Sequence, residues 1–203
     1  MTAPASSIEE FRRALADIDD LGVVAGSDHS RQESVALGLA ALGERNAAAI
    51  VLVHDAARPL TPSQVTARVI DAVRGGAGAV IPVLPVTDTL KTVGPSGAVT
   101  GTPRRSNTVA VQTPQGFRWE LLMRAHEAGA SLRAKEATSA TDDAGLVEAI
   151  GAAVQTVAGD ERSLKVTRPL DLALAQLLAA EEMSASSASA RSRGEGSDRL
   201  RAP

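Results

Sequence analysis

The stretch VLVHDAARP, residues 51–59, joins an apolar run to a cluster of polar and charged side chains. The run at 50–53 has the continuous apolar composition of a strand that is buried on both faces of a sheet. His54, Asp55 and Arg58 follow it directly. Because ligands of open parallel sheets bind beyond the carboxyl ends of the strands, these side chains are predicted to face a ligand. An Asp–Arg pair that only braces the turn is the alternative left open by this stretch alone.

Apolar runs alternate with helix-forming stretches through most of the chain. Residues 7–10 and 30–33 both read Ser-x-x-Glu, the spacing of a capping box that opens a helix. Helices are predicted at about 7–19, 30–42, 61–75, 117–128, 141–150 and 168–181. Strands are predicted at about 21–25, 48–53, 78–83, 108–113, 153–159 and 164–167, with a β-hairpin arm at about 89–102. This alternation predicts an α/β fold with a mostly parallel sheet and helices on both faces.

The composition excludes several classes of function. Only two Phe and one Trp occur in 203 residues, and the net charge is -3, so neither stacking on nucleic-acid bases nor a basic nucleic-acid footprint is indicated. The absence of cysteine excludes disulfides, iron–sulfur ligation and a thiol nucleophile. No apolar run approaches the roughly 20 residues of a membrane span, and no signal-peptide pattern opens the chain. A cytoplasmic protein that binds neither nucleic acid nor membrane is therefore expected.

The last 21 residues differ from the rest of the chain. Residues 183–203 are rich in Ser, Arg and Gly and contain almost no large apolar side chain. Such a composition cannot bury enough surface to offset the entropy lost on ordering. We therefore predict one folded domain at 1–182 and a disordered tail at 183–203.

Polar residues follow several of the other predicted strands. Thr89 lies after the strand at 78–83, Thr113 ends the strand at 108–113, and Lys165 lies in the last strand. Thr141 precedes a predicted helix, where simple N-capping is the alternative role. Clusters of this kind at several strand ends indicate an anionic, phosphorylated and hydroxyl-rich ligand. No zinc spacing, G-x-S-x-G elbow or G-x-G-x-x-G fingerprint is present.

Taken in order, five motifs resemble one enzyme family. These are VLVHDAARP, PVTDTLK, QTPQGF, SATDDAGLVE and LKVTRPLDLALAQ. They are similar to the 2-C-methyl-D-erythritol 4-phosphate cytidylyltransferases of the non-mevalonate isoprenoid pathway, and SRQESVALGL resembles the CTP-side segment of that family. The resemblance covers about residues 20–180 and implies a Rossmann-like nucleotidyltransferase fold. It also implies coupling of methylerythritol phosphate with CTP, release of pyrophosphate, and Mg²⁺ as the metal.

The resemblance implies roles for particular residues of this chain. Asp55 would contact the substrate or the metal-bound nucleotide and would be the metal ligand. Lys165 would stabilise charge on the reacting phosphate and contact the nucleotide. Ser34 would lie near the cytosine and ribose, while Arg58 and Thr141 would serve the methylerythritol side.

Three further residues match family positions that reach the site from a partner subunit. These are Thr89, Arg105 and Thr113, with Arg105 clamping the substrate phosphate as a second catalytic group. The hairpin arm at about 89–102 fits such a contribution. A homodimer with shared active sites is therefore implied.

The beginning of the chain departs from the family pattern. Family members begin with a strand and a glycine-rich loop whose arginine and lysine cradle the CTP phosphates, and nothing in this sequence resembles that loop. The domain at 1–182 is therefore expected to be N-terminally truncated relative to the family, and we expect these 203 residues alone to turn over CTP weakly or not at all. Two alternatives stay open: a ribitol phosphate cytidylyltransferase, and a non-catalytic module that binds the polyol phosphate or dimerises.

Overall fold

The computed structural model describes residues 1–130 and 142–182. Thr141 and the predicted tail at 183–203 lie outside the described residues. The described strands are β1 (Thr2–Ala3), β2 (Val24–Ala25), β3 (Ile50–Val53), β4 (Ala79–Pro85), β5 (Thr92–Val93), β6 (Val99–Gly101), β7 (Val109–Val111), β8 (Gln115–Arg118) and β9 (Gln155–Ala158).

Helices separate most of these strands, in the places that the sequence predicted. They are α1 (Ile8–Ala14), α2 (Arg31–Leu42), α3 (Ser63–Arg74), α4 (Trp119–Ala128), α5 (Asp143–Ala149) and α6 (169–182). The Ser30 hydroxyl accepts a hydrogen bond from the Glu33 N–H at 3.1 Å, as its capping-box spacing indicates. Asp142 caps α5 by accepting from the Gly145 N–H at 2.9 Å, so a carboxylate performs there the capping role considered for Thr141.

The central sheet contains β3, β4, β7, β8 and β9. β8 lies between β3 and β4 and is antiparallel to both, β7 continues antiparallel along the far half of β4, and β9 is parallel to β4 on its other side. Three of the five strands thus run in one direction, and their C-terminal ends share an edge with the start of β8. The α/β class with helices around a sheet is confirmed, and the opposite direction of β7 and β8 is what the sequence pattern did not predict.

Two apolar clusters show that helices cover the sheet on both faces. Phe117 of β8 and Ala79 of β4 pack with the apolar side chains of α4 and α5. Val80, next to Ala79, packs with Val69 and other residues of α3 instead. Because neighbouring residues of a strand point to opposite faces, this division follows from the pleat.

Gly116 of β8 decides how closely α3 approaches the sheet. A Cβ atom at this position would overlap Cγ1 of Val69, which is fully buried. Only glycine therefore allows α3 to pack directly on the backbone of β8.

Two predictions of detail need correction. Residues 164–167 do not form a strand, and the chain there is an extended connection between a short 3-10 turn at Glu161–Ser163 and α6. Residues 115–118 form β8, whereas the sequence pattern predicts that the following helix begins at about 117. The hairpin is confirmed: β5 and β6 pair antiparallel, with Gly97 at φ 79° in the turn.

Candidate active site

Asp55 lies at the centre of a cluster of cations beyond the C-terminal end of β3. One carboxylate oxygen, Oδ2, is 2.9 Å from Lys165 Nζ and 3.9 Å from Arg58 Nε. The other, Oδ1, is 3.2 Å from Arg31 Nε. Burial works to raise the pKa of Asp55, but the Lys165 hydrogen bond and the Arg31 charge outweigh it and hold the pKa below its ordinary value. Asp55 is therefore an ionised acceptor that cations surround.

The backbone of Asp55 is held by Thr113. Thr113 Oγ1 accepts a hydrogen bond from the Asp55 N–H at 3.0 Å and lies 3.0 Å from Nδ1 of His54. His54 Nε2 is 3.3 Å from the Arg58 carbonyl, which can only accept. Burial lowers the pKa of His54, so the neutral ring donates from Nε2 and accepts the Thr113 hydroxyl proton at Nδ1. Thr113 thus serves the site of its own chain through the backbone of Asp55.

Lys165 lies in the extended connection between the 3-10 turn at Glu161–Ser163 and α6. Three hydrogen bonds attach this connection and the turn before it to the edge of the sheet. The Gln112 amide donates to the Asp160 carbonyl at 2.8 Å and accepts from the Asp160 N–H at 3.0 Å. The Val166 N–H donates to the Ala57 carbonyl at 2.8 Å. These bonds bring an extended segment, rather than a strand, beside Asp55.

Arg58 fixes this connection through hydrogen bonds to backbone carbonyl groups. Its Nη1 donates to the Ser163 carbonyl at 2.5 Å and its Nη2 donates to the Val111 carbonyl at 3.3 Å. Both acceptors are backbone groups, so Arg58 joins the Asp55 turn to the Lys165 connection. Burial lowers the pKa of Arg58 from its ordinary value, against the charge of Asp55.

Sequence reasoning missed Arg31, His126 and Gln115 as site residues, and these contact the two adjacent aspartates of the ATDDAG motif. Arg31 Nη1 is 2.8 Å from Asp143 Oδ2, and His126 Nε2 is 2.9 Å from Asp143 Oδ1. Gln115 donates to Asp142 Oδ2 at 2.7 Å. The signal that could have found these residues is the paired aspartate of the ATDDAG motif, because two adjacent acids at a helix start need donors from elsewhere.

Two neighbouring cavities meet at Asp55 and Arg31. One, of about 460 Å³, is lined by Ser34, His54 and the end of β3 among others. The second, of about 240 Å³, is lined by Arg58, Thr113 and Lys165 among others. Concave sites with a few convergent polar groups are typical of small-ligand binding, and Asp55 is shared by both.

Ser34 shapes the first cavity and the loop that precedes α2. Its hydroxyl accepts from the Ser27 N–H at 2.9 Å and lies 3.1 Å from the Ser27 carbonyl. The side chain therefore fixes the chain at the rim of the cavity that it lines.

Thr89 and Arg105 lie away from this cluster. Neither is among the residues lining the two cavities. Arg105 Nη1 donates to the Thr87 carbonyl at 2.8 Å, and both predicted residues are exposed beside the hairpin. Thr141 lies outside the described residues, so only its neighbours Asp142 and Asp143 are placed at the site.

Two carboxylates line the second cavity, those of Asp55 and Asp142, and Asp55 also lines the first. Among residues 1–130 and 142–182, no group of three or more His, Asp or Glu side chains is arranged to hold a metal ion. Mg²⁺ is commonly bound by one or two carboxylates together with substrate phosphates. Asp55 therefore fits a metal ion whose remaining ligands come from a phosphorylated molecule and not from the protein. In the described parts of the chain, no helix is long and apolar enough to cross a membrane.

Comparison with known proteins gives matches across most of the chain. A model of the 2-C-methyl-D-erythritol 4-phosphate cytidylyltransferase family matches residues 2–181. A protein of that name from Rhodococcus jostii (strain RHA1) is 51% identical over 178 residues, which are 88% of this chain and 73% of the relative. Another of the same name, from Rhodococcus opacus (strain B4), is 54% identical over 159 residues, which are 78% of this chain and 66% of the relative.

Solved structures give the same result. The crystal structure of 2-C-methyl-D-erythritol 4-phosphate cytidylyltransferase from Thermus thermophilus superposes with a TM-score of 0.65 and 40% identity, covering 79% of this chain and 75% of that one. A crystal structure of 4-diphosphocytidyl-2C-methyl-D-erythritol synthase superposes with a TM-score of 0.72 and 34% identity, covering 87% of this chain and 79% of that one.

Proposed function

The chain belongs to the 2-C-methyl-D-erythritol 4-phosphate cytidylyltransferase family, and from this premise we propose that it couples 2-C-methyl-D-erythritol 4-phosphate with CTP. The products are 4-diphosphocytidyl-2-C-methyl-D-erythritol and pyrophosphate, in isoprenoid precursor biosynthesis. A phosphate oxygen of the polyol attacks the α-phosphorus of CTP as the bond to the bridging oxygen of pyrophosphate breaks. The observation that carries the proposal is the meeting of Asp55 and Lys165, from segments 110 positions apart, where two cavities join.

Lys165 is proposed as the group that stabilises charge on the reacting phosphates. Such transfers depend chiefly on positioning and on fixed positive charge rather than on covalent catalysis. The ammonium group lies 2.9 Å from Asp55 Oδ2, and the Lys165 side chain is 43% exposed. A phosphate in the cavity can therefore replace the carboxylate as its partner at little cost in desolvation.

Asp55 is proposed to bind the substrate or the metal-bound nucleotide. Its side chain lies on the rim of both cavities, so a hydroxyl or a cation entering from either side meets a carboxylate acceptor. Ser34 lines only the first cavity, which we assign to the nucleotide, while Arg58 and Thr113 line the second, which we assign to the polyol phosphate. Bound Mg²⁺ would neutralise triphosphate charge, with Asp55 as its protein ligand.

We further propose a homodimer in which the hairpin arm contributes to a partner's site. Val93 and Val99, which are paired across the arm, are 63% and 60% exposed and form an apolar patch that a partner could bury. Arg105 and Thr89 lie beside this arm and away from the Asp55 cluster of their own chain. A cytoplasmic location follows from the nucleotide substrate and is likewise a proposal.

The reaction is tested by following pyrophosphate release from radiolabelled CTP. We expect release that requires methylerythritol phosphate and that is about 100-fold lower in Lys165→Ala, the usual scale of a removed transition-state donor. Arg74→Ala is the matched control, because Arg74 is a surface cation of α3 whose side chain is 71% exposed and lies 3.9 Å from Asp71. Release that is insensitive to Lys165→Ala would contradict the assignment.

The same experiment separates the alternatives, none of which the relatives' names favour. Ribitol phosphate in place of methylerythritol phosphate is expected to give no release. Binding of methylerythritol phosphate, measured by calorimetry, without CTP binding and without release would favour the non-catalytic module.

A further inference from the structure

Arg31 is the one side chain that contacts both Asp55 and the buried Asp143 in the described part of the chain. Its Nε faces Asp55 Oδ1 at 3.2 Å and its Nη1 faces Asp143 Oδ2 at 2.8 Å. Arg31 also lines both cavities that meet at Asp55. The planar guanidinium fork can hold two carboxylates in a fixed relative geometry, which an ammonium group cannot.

Asp143 is an unusual anchor because it is almost wholly buried, with 1% of its side chain exposed. A buried carboxylate is costly unless it is paired and hydrogen-bonded. Burial works to raise its pKa, but the His126 hydrogen bond and the charge and hydrogen bond of Arg31 outweigh that effect and keep the pKa low. Since Asp143 cannot turn to water, Arg31 is committed to it whatever happens at Asp55.

His126 completes this arrangement from the core of α4. Its ring is 3% exposed and its Nε2 lies 2.9 Å from Asp143 Oδ1. The other ring nitrogen, Nδ1, is buried and has no hydrogen-bond partner among the described residues. Because a carboxylate oxygen can only accept, Nε2 is the donor of this hydrogen bond. His126 therefore orients Asp143 from within the core.

We propose that His126, Asp143 and Arg31 act in series as positioning residues for Asp55. His126 orients Asp143, Asp143 anchors Arg31, and Arg31 holds one oxygen of Asp55 in place. Lys165, which is paired with the other oxygen, can then exchange Asp55 for a substrate phosphate. The substrate would therefore meet a carboxylate whose orientation is already fixed. This inference rests on the proposed function, because it assigns Asp55 to substrate binding.

The test is a double-mutant cycle on kinetic constants. His126→Leu removes the donor to Asp143 and keeps an apolar side chain of similar size, whereas His126→Gln retains an N–H close to the position of Nε2. We expect His126→Leu to raise KM for methylerythritol phosphate about fivefold with less effect on kcat, within the usual range of coupling between contacting residues. His126→Gln should restore most of the KM. In an Arg31→Gln background, His126→Leu should have almost no further effect on KM.

A merely structural role gives a different result. It would lower the folded fraction and hence kcat, leave KM unchanged, and act by the same factor with or without Arg31; that pattern overturns the proposal. If His126→Leu does not fold, Asp143→Asn takes its place in the same cycle. If the unmutated chain neither binds nor turns over methylerythritol phosphate, the proposed function has failed instead.

A measurement without substrate tests the anchor separately. Hydrogen exchange of the Arg31 Nε–H, followed by NMR in the unmutated protein, is expected to be at least about 10-fold slower than that of Arg74, whose side chain is 71% exposed. His126→Leu should speed the exchange at Arg31 and leave Arg74 unchanged. Equal exchange at the two arginines in the unmutated protein would show that Arg31 is not anchored.

Discussion

Gln112 holds the connection that carries Lys165, so its replacement tests how the site is built. Its side-chain amide makes two hydrogen bonds to the backbone of Asp160, at 2.8 and 3.0 Å, and is buried. Gln112→Met removes both bonds while keeping the length of the side chain. A typical hydrogen bond contributes about 1 kcal/mol, and Asp160 is only partly buried, so water can replace the lost partner. We expect about 2 kcal/mol of lost stability and a Tm about 4–8 °C lower.

The effect on activity should exceed the effect on stability. Freeing Asp160 loosens one of the attachments that place Lys165 beside Asp55, and a misplacement of about 1 Å can cost about 100-fold in rate. We expect kcat/KM to fall about 10-fold or more at a temperature where the variant is fully folded. Gln112→Glu can still accept from the Asp160 N–H, but it sets a buried carboxylate oxygen against the Asp160 carbonyl, so it should lose at least as much as Gln112→Met.

The matched control is Val73→Ala in α3. Val73 is fully buried in the cluster on the opposite part of the sheet, so its truncation should cost a similar stability, about 2 kcal/mol, without touching Lys165. Guanidinium denaturation measures the stability of both variants, and pyrophosphate release measures kcat/KM. If Gln112→Met loses stability like Val73→Ala but keeps full activity, Lys165 is not positioned through Gln112 and the reasoning is refuted.

Three further predictions concern packing, pH and assembly. Gly116→Ala should destabilise the chain by about 1–3 kcal/mol in guanidinium denaturation, because the new methyl group overlaps Val69; an unchanged midpoint would contradict the close approach of α3. The folded pKa of Asp143 is depressed, so its contribution to stability is present above the ordinary value of 3.8 and is lost as pH falls through the folded value. Thermal melts from pH 6 to pH 3 should accordingly fall less steeply for Asp143→Asn than for the unmutated chain, and parallel curves would argue against the ion pair. Val99→Asp, at an exposed arm position, should shift sedimentation from dimer to monomer while leaving Tm at low protein concentration nearly unchanged, and a persistent dimer would place the interface elsewhere.

Local signals predicted much of the fold. The Ser-x-x-Glu box at 30–33 marks the start of α2 because the capping hydroxyl and the backbone N–H that it accepts from lie three residues apart. The turn at 94–97, which contains two glycines, predicts the hairpin because a tight turn between two short strands is also a local feature of the sequence. The sequence predicts that Asp55 faces a ligand because ligands of open sheets bind beyond the carboxyl ends of the strands, and the structure places it where two cavities meet.

Other features depend on partners that are distant along the chain. Residues 164–167 have the composition of a strand, yet the structure shows an extended connection there, and hydrogen bonds from Gln112 and Arg58 attach the preceding turn to the sheet edge. The direction of β8 is set by pairing with β3 and β4, which its own side chains do not specify.

The sequence by itself determined the α/β class, most of the helix starts and the family, because capping, periodicity and ordered motifs are local properties. Tertiary structure alone decided that Arg31 and Asp143, 112 positions apart, form an ion pair at 2.8 Å, and that His126 supports it from the core. Nothing local in the sequence pairs these residues. Each could have been a solvated surface charge, and only the packing of α2, α4 and α5 around one sheet edge removes them from water and makes their pairing necessary.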